Sequence, residues 1–98
     1  IHAKDVAYAF YLFYKNPKSG EVFNLGGGRE NSASLLELIE KIKKITGKTT
    51  KVIYQNKPRL GDHKWWITDC SKFKKNYPQW DINYSIDDII LDIYKNSL

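Results

Sequence analysis

The sequence predicts an α/β fold, a small parallel βαβ unit with flanking helices. Residues 21–25 (Glu-Val-Phe-Asn-Leu) and 50–55 (Thr-Lys-Val-Ile-Tyr-Gln) are short runs rich in β-branched and aromatic side chains, the composition of strands. Between them an amphipathic helical pattern opens at Ser34 and stops at Gly47. Strand, helix and strand in that order imply a right-handed parallel crossover.

The first helix is expected over about residues 4–15. Val6, Ala9, Phe10 and Phe13 share one stripe, and Asp5 suits the positive end of the helix dipole. Ala7, Tyr8, Tyr11, Leu12 and Tyr14 spread apolar character around most of the circumference. Such a helix is normally covered on more than one side. Asn16-Pro17-Lys18-Ser19-Gly20 is a turn by composition, and the strand at 21–25 then runs into Gly26-Gly27-Gly28, where the backbone is free to approach another segment closely.

Ser34-Leu35-Leu36-Glu37 is a capping box, and Leu35, Leu38 or Ile39, Ile42 and Ile45 follow at helical spacing up to Gly47. After the second strand, Lys57-Pro58 breaks regular structure. Asp69 or Ser71 can cap a short helix ended by Tyr77-Pro78, and Trp80 is expected to pack as an anchor. Ser85 caps a last helix with Ile86, Ile89, Ile90 and Ile93 on its buried side.

Length allows one domain over 1–98, or one lobe of a larger one. Sixteen Lys and Arg against eleven Asp and Glu give a net charge of +5, yet only Arg29 and Arg59 are arginine. That balance suits an anionic ligand better than dedicated nucleic-acid reading. One cysteine excludes an internal disulfide, and with two histidines no metal motif is evident. No apolar run is long enough to span a membrane, and there is no signal-peptide pattern. The opening Ile1-His2-Ala3, leading directly into a helix, reads as the tail of a longer cytoplasmic protein.

The densest group of directional polar residues is Arg59-Leu60-Gly61-Asp62-His63. Arg59 can present paired donors to phosphate oxygens, Gly61 can fold the chain back, and Asp62 can accept from ribose hydroxyls. The plainer alternative is an ion pair of Arg59 with Asp62 or Asp69 inside a surface turn. His63 has no partner by spacing. Trp65 and Trp66 should alternate in direction if the segment is extended, one inward and one outward. Asn24, Gly26 and Arg29 are candidates to line a pocket, although the contiguous glycines lack the G-x-G-x-x-G spacing of a dinucleotide loop. His2 and Asp5 could reach a site from the helix start. No Tyr-x-x-x-Lys and no nucleophile elbow are present, so no residue is expected to be catalytic.

His2-Ala3-Lys4-Asp5-Val6, Val22-Phe23-Asn24-Leu25-Gly26-Gly27-Gly28, Ser34-Leu35-Leu36-Glu37-Leu38, Arg59-Leu60-Gly61-Asp62-His63 and Ile67-Thr68-Asp69-Cys70-Ser71-Lys72 with Trp80 form an ordered series. It resembles the carboxyl-terminal part of the NAD-dependent epimerase/dehydratase family, extended short-chain dehydrogenase/reductases acting on nucleotide sugars, and within it the CDP-sugar 2-epimerases. The resemblance implies a nucleotide-sugar-binding portion of an isomerase, inactive alone, whose NAD is held by an amino-terminal Rossmann domain absent from this chain. It implies Arg59 on the diphosphate, Asp62 by the ribose, and Asn24, Arg29 and His63 near the substrate. Partners would be a nucleoside diphosphate sugar, that Rossmann domain and further copies of the enzyme, with no membrane or nucleic acid. A dehydratase or 4-epimerase would use much the same clamp. A ligand-free interface module and a small basic nucleic-acid-binding module are the competing classes.

Overall fold

The computed structural model describes residues 1–97 and contains four helices: α1 (Ala3–Lys15), α2 (Leu35–Thr46), α3 (Ser71–Asn76) and α4 (Ile86–Asn96). Among the described residues there is no β-strand, so the expected βαβ unit, and with it the α/β class, is corrected to an all-helical arrangement.

The reason is local. A strand requires a neighbour for its backbone groups, and β-branched composition supplies only the inclination. Residues 21–25 do alternate, with Phe23 and Leu25 half-buried and Val22 and Asn24 exposed. Their ladder is missing, and the Val22 carbonyl accepts instead from Lys72 Nζ at 2.9 Å. Residues 50–55 are exposed throughout.

The helices form where the sequence writes their ends. In α2 the Ser34 hydroxyl accepts from Glu37 N at 3.2 Å while Ser34 N donates to the Glu37 carboxylate at 2.9 Å. Gly47 closes it in the left-handed conformation, φ 71°, a position any other residue would occupy under strain. In α4 Ser85 and Asp88 form the equivalent reciprocal cap. Asp69 Oδ1 accepts from Ser71 N at 2.9 Å and so satisfies a free donor at the start of α3.

The unanticipated cap is at α1. His2 Nδ1 accepts from Lys4 N at 3.0 Å, which leaves the proton of a neutral ring on Nε2, 3.0 Å from Asp92 Oδ2. The same ring stacks on Tyr84 with centroids 4.3 Å apart, tying α1 to α4.

The core is small and aromatic. Ala9, Cys70, Phe73, Tyr77 and Trp80 are buried, with Leu12, Phe23, Leu25 and Ile82 packed around them. Phe73 meets Trp80 edge-on at 5.2 Å and Phe23 edge-on at 5.4 Å, the geometry that ring quadrupoles favour. Trp80 Nε1 donates to the Asp5 carbonyl at 2.9 Å. Elsewhere α2 packs on α4, joined at its edge by Lys41 and Asp87 at 2.8 Å, yet no residue of α2 is buried. On α4 only Ile90 is fully buried, and Ile93 faces outward. No helix among the described residues is long and apolar enough to cross a membrane.

The α4 cap has a pH consequence. The Asp88 carboxyl is held below the usual aspartate range, first by the Ser85 backbone N–H and then by its hydroxyl. A folded-state pKa below the unfolded one stabilises the fold above the unfolded value, and that contribution disappears as pH falls through the folded value. Glu21, Asp69 and Asp81 are lowered in the same sense, Glu21 and Asp81 by the ammonium groups of Lys72 and Lys74, and Asp69 by Ser71. Helicity followed by circular dichroism should therefore become easier to melt below about pH 4. Asp88→Asn should make that acid dependence shallower; an unchanged slope would assign it to the other carboxylates.

Candidate functional site

The Arg59–Asp62 bend exists. Gly61 adopts φ 77°, Asp62 N donates to the Arg59 carbonyl at 3.1 Å, and the chain reverses there. The two side chains, however, face each other: Arg59 Nη2 lies 3.0 Å from Asp62 Oδ1. The guanidinium side chain is 87% exposed, so the pair is a surface ion pair of small energetic consequence. The base and the acid expected to face one ligand are bonded to each other through a single guanidinium nitrogen, and the rest of the guanidinium stands in solvent. His63 leans on Trp66, ring centroids 4.8 Å apart. Trp65 and Trp66 are both exposed, 77% and 74%, where an alternating strand would have hidden one.

Asn24 is exposed, and among the described residues its side chain has no hydrogen-bond partner. Of the five expected ligand residues, only Arg29 lines a cleft. That cleft, of about 360 Å³, lies between the glycine loop and residues 67–71, with Lys74 and Ile82 completing its wall. The sequence builds it through close approach. A methyl group on Gly26 would stand 2.5 Å from the Thr68 Cβ, so only glycine fits. Cys70 Sγ donates to the Gly26 carbonyl at 3.3 Å and pins the two walls together.

The chemistry available there is limited. Arg29 and Lys74 share the lining with Glu30 and Asp69, and Lys74 is engaged by Asp81 at 3.1 Å. The thiol is buried and occupied by the carbonyl. The Asp69 carboxylate is bonded by both the backbone N–H and the side chain of Ser71 at the start of α3, and among the described residues no three His, Cys, Asp or Glu side chains converge as a metal site.

Two residues given little weight by the sequence prove central. Asp5 is 1% exposed, and its carboxylate accepts from Asn83 N at 3.1 and 3.2 Å and from Tyr84 N at 3.2 Å. With the cap at His2, this makes the start of α1 a structural joint rather than part of a ligand site. A solitary acid in a first helical turn reads as a dipole partner, and nothing nearby in sequence announces the loop it holds.

The most extensive feature is uncovered apolar surface. Phe10 (67%), Tyr14 (79%), Tyr54 (87%) and Leu60 (107%) stand in solvent with the two indoles. Leu35 and Leu36 at the start of α2 are exposed as well.

No protein-family model, curated protein or solved structure matches this chain. Together with the absence of any strand among the described residues, this corrects the expected membership of the epimerase/dehydratase family and its CDP-sugar branch. It corrects equally the expected role in binding a nucleotide sugar, for which neither a sheet scaffold nor a nucleotide-binding motif is present among the described residues.

Proposed function

We propose that this chain is an interface module, a set of short capped helices that completes its hydrophobic core against a protein partner. The observation that carries this reading is its surface. The accessible area is 8504 Å², whereas a closed monomer of 11.5 kDa exposes about 5,800 Å². The radius of gyration is 16.5 Å, against about 12.6 Å for a compact chain of this length.

The excess, about 2,700 Å², is the scale of a large, permanent protein–protein contact rather than of a small-molecule cleft. Its chemistry agrees: the exposed groups are Trp, Tyr, Phe and Leu, the types that dominate buried interface centres. On a closed domain such groups would be scattered singly.

Urea unfolding tests the proposal, because the m-value scales with the area exposed on unfolding. The chain buries about half of its unfolded-state area instead of about two-thirds, so m should be roughly three-quarters of that of a closed domain of this length. A full-sized m-value would mean that the apolar groups are covered by the chain itself, and would overturn the reading.

A further inference from the structure

The partner's chemistry can be read from α1, in an inference that rests on the interface reading. The helix has two unlike faces. Inward, Asp5, Ala9 and Leu12 turn toward the core, Asp5 and Ala9 fully buried. The opposite face carries Ala3, Ala7, Phe10, Tyr11 and Tyr14, all exposed, at the i, i+4, i+7, i+8, i+11 spacing of one helical stripe. A helix at the edge of a closed domain places polar side chains there.

The charges along this stripe have one sign. Lys4 and Lys15 flank it, Lys15 Nζ 5.7 Å from the centre of the Tyr11 ring on the stripe and Lys4 Nζ 5.7 Å from the centre of the Tyr84 ring beside it. The only acid of α1 is Asp5, which is turned away and fully buried. A second copy pairing antiparallel on this face would bring Lys4 of one molecule toward Lys15 of the other, a repulsive arrangement. Small residues at Ala3 and Ala7, one turn apart, let another helix approach closely, with Phe10 and Tyr14 gripping its side. We infer that the outer face of α1 seats an amphipathic α-helix of a different protein, apolar at its centre and acidic along its edge.

The test uses the whole chain and two synthetic helical peptides with an identical leucine stripe, one edged with glutamate and the other with lysine. Fluorescence anisotropy of the labelled peptides should show saturable binding of the glutamate-edged peptide, at least about ten-fold tighter than the lysine-edged one. The double variant Phe10→Ser, Tyr14→Ser should weaken that binding about ten-fold or more while leaving the melting temperature nearly unchanged, since both side chains are exposed. Lys4→Glu with Lys15→Glu should reverse the preference between the peptides.

Equal binding of both peptides, no binding of either, or binding indifferent to Phe10 and Tyr14 would overturn the inference and leave the interface reading standing. So would self-association abolished by the same double variant, which would make a second copy the occupant. Failure of the interface reading is separately visible, as a compact radius of gyration for the unbound chain.

Discussion

Trp80→Ala is expected to abolish cooperative folding of the isolated chain. The indole is 1% exposed and stacks edge-on against Phe73 at 5.2 Å, and its Nε1 donates to the Asp5 carbonyl at 2.9 Å. Truncating a buried tryptophan costs about 3–5 kcal/mol through lost transfer energy and the cavity left behind. A domain of this size has only about 5–15 kcal/mol in total, and less burial than usual places this chain toward the lower end. Trp80→Phe, which keeps most of the packing and loses the hydrogen bond, should retain a cooperative melt at lower temperature. Thermal denaturation followed by far-ultraviolet circular dichroism distinguishes the cases. A wild-type melting temperature in Trp80→Ala would show that the aromatic cluster does not hold the fold.

Asp5→Ala should come next in magnitude. The carboxylate accepts backbone donors from Asn83 and Tyr84, joining the start of α1 to the loop before α4. Removing it strands two donors in a partly buried place and costs about 2–4 kcal/mol. Asp5→Asn keeps one acceptor oxygen and should lose about half as much. Amide hydrogen exchange at Asn83 and Tyr84 should accelerate in both variants, more in Asp5→Ala, while exchange within α2 stays unchanged. Unaltered exchange at those two amides would assign the fixing of the loop to Trp80 alone.

What could be read in the sequence was what a few adjacent residues determine. Ser34 with Glu37, Gly47, and Ser85 with Asp88 each define a helix end inside four or five residues, and the structure forms those ends. The bend at Gly61 is of the same kind. What Arg59 and Asp62 do across that bend was not readable, because spacing that could present both groups to a ligand equally lets them bond each other. The strands failed for a related reason. Propensity is local, but a strand is a relation between two segments, and residues 50–55 meet no second one. Asp5 lies furthest from local inference, since its role depends on residues 78 and 79 positions away. The apolar circumference of α1, by contrast, was visible at once and already asked for cover on two sides.

Small-angle X-ray scattering of the isolated chain at low concentration, with and without a bound partner helix, addresses the interface most directly. An open module should give a radius of gyration near 16.5 Å when monomeric, with the apolar surface protected from solvent labelling only in the complex. A monomer measuring about 12–13 Å, with Phe10, Tyr14, Trp65 and Trp66 already protected, would show a closed domain and contradict the account.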